Sequence, residues 1–216
     1  MTPVLPAGGP LWFPPAENAD SDGLVLVGGD LSPSRLLLAY SSGIFPWYGE
    51  GQPILWWSLD PRCVLFLEKL HVPASLRRVM NSGRFSFTED ACFDRVIQAC
   101  ATAPRPGQDG TWITPEMAFA YYRLHRLGHA HSIEVWEDGR LVGGLYGVQT
   151  GRVFSGESMF HLADDASKAA VVHLASWLQK RGITLIDCQQ TTRHMTRFGA
   201  EEVSRAAYLA LLRERL

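Results

Sequence analysis

The sequence predicts an α+β fold. A small N-terminal domain, residues 1–60, packs on a larger domain, residues 61–216, built on a mixed, mostly antiparallel sheet. Three observations carry this reading. Residues 132–160 read as an antiparallel meander, with Ile133 and Val135 alternating onto one face and Asp138-Gly139 as a hairpin turn. Ala170, Val171, Leu174, Trp177 and Leu178 form the apolar stripe of a long helix over 165–180, and an apolar strand over 183–189 returns beside the meander. The first 60 residues are punctuated by Pro and Gly and end at the turn dipeptide Asp60-Pro61.

The elements follow in order. Residues 1–23 form an irregular arm with Trp12-Phe13 as its anchor, and 24–28 is a short apolar strand. Ser32 caps a helix with Pro33 in its first position, and Gly43 stops it. Phe45-Pro46-Trp47-Tyr48 and a Gly/Pro loop lead to Ile54-Leu55-Trp56-Trp57-Ser58; of the adjacent tryptophans only one can face inward on a strand, and both read as interface packing. The larger domain opens with a strand over 63–66, a helix over 73–80, a strand over 85–88 and a helix over 93–102. Thr114-Pro115 starts a helix closed by Gly128. In the return strand 141–149, Gly143-Gly144 marks a bulge or a close backbone approach. Gly182 ends the long helix; after the strand over 183–189, 193–198 makes one or two helical turns ended by Gly199, and 204–213 is the last helix.

Composition narrows the class. Lys plus Arg is 20 and Asp plus Glu is 22, a net charge of −2, which excludes a globally basic nucleic-acid binder but not a local basic face. With 46% hydrophobic and 19% charged residues the chain is globular, not disordered. Its 7 tryptophans are more than a core of this size calls for, so some belong to a stacking surface. Cys63, Cys92, Cys100 and Cys188 form no C-x-x-C pair and no zinc spacing with histidine, so they read as buried, reduced thiols. The N-terminus lacks a basic segment before an apolar run, and no apolar stretch approaches the ~20 residues of a membrane helix, which predicts a soluble, cytoplasmic protein.

Several blocks carry a specific resemblance. Gly28-Gly29-Asp30-Leu31-Ser32-Pro33, Gly43-Ile44-Phe45-Pro46-Trp47 and Pro53-Ile54-Leu55-Trp56-Trp57-Ser58 come first, with Asp60-Pro61-Arg62 just after. Gly110-Thr111-Trp112-Ile113-Thr114 and Gly128-His129-Ala130-His131-Ser132-Ile133-Glu134 follow. Then come Gly143-Gly144-Leu145-Tyr146-Gly147, Gly156-Glu157-Ser158-Met159-Phe160, Ser167-Lys168 and Leu185-Ile186-Asp187-Cys188-Gln189. In this order they resemble the leucyl/phenylalanyl-tRNA–protein transferases over most of residues 24–190. The resemblance implies a GNAT-like catalytic domain. It implies transfer of Leu or Phe, and less well Met, from aminoacyl-tRNA to the N-terminal Arg or Lys of an acceptor protein, which marks that protein for N-degron proteolysis. It implies no metal or organic cofactor, and a monomer is expected.

The residues add their own reading. On a strand, Asp187 and Gln189 share one face and Cys188 takes the other, so two polar groups point together at a cleft or, alternatively, at neighbouring loops. The resemblance gives the matching Asp the task of orienting the Gln, which holds the attacking amine. Glu157 stands opposite the same sheet region, where a carboxylate holds a cationic acceptor terminus or, alternatively, is a solvated strand residue. By the same match Leu145, Phe154, Met159, Val171, Leu174 and Ile186 line the pocket for the donor side chain, though Val171 and Leu174 also fit plain helix core. The resemblance has Trp47 and Trp112 meet the terminal adenosine; their loop contexts also fit plugs of the domain interface. Arg77, Arg78 and Arg84, with Arg62 and Lys69 nearby, form the local basic cluster, for the tRNA body or as a solvated face. His125, His129 and His131 have metal-like spacing, but Gly128 breaks the helix between them. The alternative function is a GNAT-type N-acetyltransferase using acetyl-CoA. That would need a Gly-rich phosphate turn where His161-Leu162-Ala163-Asp164-Asp165 stands. A non-enzymatic RNA-binding module lacks any matching motif.

Overall fold

The structure, a computed structural model, describes residues 2–104 and 111–216; Gly110 of the Thr111-Trp112 block lies outside them. Residues 4–57 hold β1 (Val4–Leu5), β2 (Leu24–Gly28), α1 (Pro33–Ser41), β3 (Phe45–Pro46) and β4 (Leu55–Trp57), in a sheet of order β1-β2-β4-β3. Ser32 accepts the Arg35 N–H and Pro33 follows it, the cap and first-turn proline read from the sequence. The paired tryptophans separate as strand alternation requires. Trp56 is wholly buried with Phe13 edge-on at 4.9 Å, while Trp57 donates its indole N–H to the Trp47 carbonyl at 2.6 Å.

The rest of the chain forms β5 (Arg62–Phe66), α2 (Ala74–Asn81), β6 (Ser86–Glu89), α3 (Phe93–Thr102), α4 (Pro115–Arg126), β7 (Ala130–Glu137) and β8 (Arg140–Thr150). It continues with β9 (Val153–His161), α5 (Ala166–Lys180), β10 (Leu185–Gln189), α6 (Arg193–Thr196), β11 (Glu201–Val203) and α7 (Arg205–Arg213). The seven-stranded sheet runs β11-β5-β10-β9-β8-β7-β6. Within this sheet β9 and β10 pair in parallel and the other neighbours pair antiparallel. This is the mixed, mostly antiparallel sheet that the meander and returning strand predict.

Two departures are instructive. β1 and β11 are short edge strands, of two and three residues, too short to show alternation in the sequence. β10 starts two residues later than expected, because the Ile183 N–H closes the end of α5 on the Leu178 carbonyl. The glycine pair in β8 marks a close approach: a Cβ at Gly143 would stand 2.6 Å from the Ala166 side chain, and one at Gly144 2.7 Å from the Ile133 carbonyl.

The sheet forks at its centre. β9 pairs with β8 from Val153 to His161, but with β10 only from Val153 to Ser155. Past the Ser155–Asp187 pair the two parallel strands part. Both carry a bulge at that point. Glu157 is unpaired between Gly156, opposite Gly147, and Ser158, opposite Tyr146. Cys188 is unpaired between Asp187, opposite Val64, and Gln189, opposite Cys63. Gln189 itself takes a left-handed conformation, φ 54°. A bulge breaks the two-residue alternation and re-aims the side chains after it.

An ion pair pins the root of the fork. The Asp187 carboxylate, wholly buried, accepts from Arg62 Nε at 2.8 Å and Nη2 at 2.7 Å, from Tyr208 Oη at 3.0 Å, Ser155 Oγ at 3.3 Å and the Gln189 backbone N–H at 3.0 Å. The Arg62 guanidinium lies over the rings of Phe45 and Tyr208, 4.7 and 4.6 Å from their centroids. Asp187 and Tyr208 both favour its charge and hold its pKa above the usual arginine value despite burial. Arg62 is therefore no part of a basic surface, contrary to the grouping by sequence proximity; it joins β3, β5, β10 and α7 from inside.

Truncating one partner of a buried, hydrogen-bonded ion pair strands the other charge. Arg62→Met is expected to destabilise the protein by about 3–5 kcal/mol in urea unfolding. Adding Asp187→Leu should recover part of that loss. A single variant as stable as the parent would contradict the role given to the pair.

Candidate functional site

Beyond the fork lies a cavity of about 670 Å³. Leu145 from β8, Met159 from β9, Val171 and Leu174 from α5 and Ile186 from β10 supply an apolar wall. Trp47 and Trp112 also line the cavity, with Phe45 and Pro46 beside Trp47. Trp47 follows β3, where its backbone carbonyl is held by Trp57, and Trp112 precedes the Thr114 cap of α4. Seven residues singled out in the sequence, from Trp47 to Ile186, thus meet with Glu157 and Gln189 around one space.

Phe154 does not border it. Its ring fills the place over Gly147, where a Cβ would come within 2.5 Å of the ring edge, and it is wholly buried. Phe154 lies before the β9 bulge and Met159 after it, so a residue set inferred along one strand splits between core and cavity. Val171 and Leu174 are buried yet line the cavity, so both readings of them hold.

The polar groups sit at the fork. Gln189 donates its side-chain amide N–H to Glu157 Oε1 at 3.1 Å. Tyr121 Oη donates to Glu157 Oε2 at 2.8 Å, and Tyr40 and Tyr121 share a hydroxyl contact of 2.5 Å. Burial is the largest influence on Glu157 and drives its pKa up, to about 7. The Tyr121 and Tyr40 hydroxyls pull it back, Asp187 pushes it up further, and Arg62 opposes that. Asp187 orients Gln189 through its backbone N–H rather than its side-chain amide, which Glu157 holds. The bulge explains the difference: Cys188 and Gln189 both border the cavity, while Asp187 is buried behind them.

Tyr40 and Tyr121 were not legible as site residues. They lie in α1 and α4, far apart in the chain, within stretches that read as ordinary amphipathic helix. Arg62 stood in a recognised block, but without a partner in view its charge suggested surface.

The basic cluster is reduced. Arg77 and Arg78 are exposed on α2, whereas Arg84 binds Glu137 at 2.6 Å and Lys69 binds Glu201 at 2.8 Å. The histidines serve local structure: His125 Nδ1 lies 2.9 Å from the Ala130 carbonyl and His131 Nδ1 2.7 Å from Asp90 Oδ2. Among the described residues no group of three or more His, Cys, Asp or Glu is placed to hold a metal ion, and no helix is long and apolar enough to cross a membrane. At the start of α5, Asp165 takes a left-handed conformation and its carboxylate binds Lys168 at 2.6 Å, where a pyrophosphate cradle would need open backbone N–H groups.

Residues 64–213 match the family described as leucyl/phenylalanyl-tRNA protein transferase, and residues 29–60 match the N-terminal domain of that family. The chain is 58% identical over 202 residues to the leucyl/phenylalanyl-tRNA–protein transferase of Nitratidesulfovibrio vulgaris strain DP4, covering 94% of this chain and 86% of that one. It is 60% identical over 204 residues to the protein of the same name from Oleidesulfovibrio alaskensis, covering 92% and 82%. Among solved structures it is similar to that of FemX, with a TM-score of 0.54 and 10% identity over 68% of this chain and 60% of that one, a likeness of fold.

A half-buried carboxyl with a raised pKa weakens the fold once it ionises. The unfolded chain releases this proton near the ordinary value of about 4.3 and the folded one near 7, so stability falls as pH rises through that window. Glu157→Gln should remove this component of the slope. At pH 8 it should unfold at higher urea than the parent, by roughly 1–3 kcal/mol. A variant less stable at pH 8, with the slope intact, would show that Glu157 is not destabilised by its charge.

Proposed function

The chain belongs to the leucyl/phenylalanyl-tRNA protein transferase family and is an aminoacyltransferase acting from tRNA to protein; we propose that it moves Leu or Phe, and less well Met, onto the N-terminal Arg or Lys of acceptor proteins and so marks them for N-degron proteolysis. We also propose that it acts as a cytoplasmic monomer, with residues 1–60 as a distinct domain. That division is supported by the two separate sheets and the two family matches.

The observation that carries the reading is the Glu157–Gln189 pair at the fork, opening onto an apolar cavity also lined by two tryptophans. Aminolysis of an aminoacyl ester needs little activation of the ester and much positioning of the partners. The donor side chain enters between Leu145, Met159, Val171, Leu174 and Ile186; Met159 bends to fit either a branched chain or a ring. The terminal adenosine stacks on Trp47 and Trp112. Because the Gln189 amide N–H points at Glu157, its carbonyl oxygen is left to accept from the attacking amine. Glu157, ionised above about pH 7, draws in the cationic acceptor terminus and takes its proton. The amine nitrogen bonds to the ester carbon, the bond from that carbon to the ribose oxygen breaks, and the proton passes to the departing oxygen. Asp187 acts behind this pair as a positioning residue. Arg77 and Arg78 are left for the phosphates of the tRNA body, with Arg84 a weaker third.

Incubation with Leu-tRNA or Phe-tRNA and an Arg-starting peptide tests the assignment, with acetyl-CoA as the competing donor. Trp112→Ala should raise KM for aminoacyl-tRNA about 5- to 150-fold, the equivalent of ~1–3 kcal/mol per stacked base, and leave the peptide KM nearly unchanged. Equal losses on both substrates would remove Trp112 from the adenosine platform. Acetylation of the peptide in place of aminoacyl transfer would overturn the reading.

A further inference from the structure

Two of the four cysteines meet at the fork. Cys63 stands on β5 directly opposite Gln189, and Cys188 is the extra residue of the β10 bulge, so Cys188 and Gln189 together oppose Cys63. Directly opposed residues in an antiparallel pair have Cα atoms about 4.5–5.5 Å apart. Disulfides bridge Cα separations of about 4.4–6.8 Å, and Cys188 shares with Gln189 the place opposite Cys63, beside a pair at that spacing. The thiols also feel each other: contact with Cys188 is the largest influence on Cys63 and pulls its pKa down, and contact with Cys63 leads those that push Cys188 up. Their access differs. Cys188 is partly exposed and borders the cavity, whereas Cys63 is wholly buried. Cys92 and Cys100 lie elsewhere, at the start of α3 and within it.

We propose that Cys63 and Cys188 form a modification site at the fork, in which a small disulfide such as oxidised glutathione converts the two thiols to a reversible Cys63–Cys188 disulfide that shuts the transfer site. Cys188, the thiol that borders the cavity, gives up its proton and attacks one sulfur of the small disulfide, forming a mixed disulfide and releasing one thiol. Cys63, with the lower pKa of the pair, then attacks the Cys188 sulfur, breaks the mixed bond and releases the second thiol. The protein loses two protons and two electrons; the small disulfide gains both. Cys188 adjoins Gln189 in the bulge. Drawing its sulfur toward β5 turns the strained Gln189 backbone and takes the amide off Glu157. The loss of activity rests on the function proposed for Gln189; the disulfide itself does not.

The test treats the reduced full-length protein with oxidised glutathione at pH 8, then measures intact mass, the cross-linked peptides and Phe transfer to an Arg-starting peptide, before and after dithiothreitol. The expected result is a loss of two mass units, a Cys63–Cys188 peptide, a fall in transfer of at least 10-fold, and recovery on reduction. Cys63→Ala should keep the parent's activity before treatment and lose the cross-link. It should then stop at a mixed disulfide on Cys188. Cross-links through Cys92 or Cys100, no cross-link at all, or a full Cys63–Cys188 cross-link with transfer unchanged would each overturn the proposal. A reduced protein that transfers nothing would instead overturn the functional reading, and the peptide map would still decide whether the disulfide forms.

Discussion

Arg62 and Asp187 form a wholly buried ion pair, and the geometry of the cavity follows from where that pair sits. A carboxylate with no access to water must be satisfied by protein donors. Here they come from β5, β9, α7 and the turn after the bulge, so β10 can run only along one line. The guanidinium, covered on its faces by Phe45 and Tyr208, carries the same constraint to β3 of the N-terminal sheet. A hydrophobic pair of similar volume could fill the space, and replacements of that kind are often as stable. It could not hold the Gln189 N–H, and the left-handed turn that aims the amide would then rest on the Gln190 N–H to Cys188 carbonyl bond.

Local strain collects around this root. A bulge stands on each strand of the fork, a non-glycine residue sits at positive φ, and a carboxyl carries a pKa near 7. Each weakens the fold by itself and is tolerated because the surroundings over-determine it. Together they place one titrating oxygen and one amide on the same side of an apolar cavity. Such a site favours chemistry that begins with a cationic amine and an uncharged apolar side chain.

The fold was legible where local rules act: caps at Ser32 and Thr114, the Asp138-Gly139 hairpin and the α5 stripe are dictated within a few residues. The edge strands β1 and β11 were not, since two or three residues show no period. Within the site, the resemblance supplied Glu157, Asp187, Gln189 and the two tryptophans, and the structure brings them together. It could not tell which side chains of a bulged strand reach the cavity, so Phe154 falls behind the wall and Cys188 appears on it. Nor could proximity in sequence show that Arg62 turns inward to an acid 125 residues away. Tyr40 and Tyr121 come from distant helices, and no pattern within either helix announces a hydroxyl aimed at a carboxylate.

The central claim is that the fork places Glu157 to take the proton of the attacking amine. Single-turnover transfer of Phe to an Arg-starting peptide, followed from pH 5.5 to 9, tests this most directly. In the parent protein the rate should rise with pH through an inflection near 7, where Glu157 ionises, and rise again with the amine near its own value of about 7.7–8.0. In Glu157→Gln the lower inflection should vanish, the upper should remain, and the rate at pH 8 should fall by roughly 10²–10⁴-fold. An inflection near 7 that survives in Glu157→Gln would contradict the account.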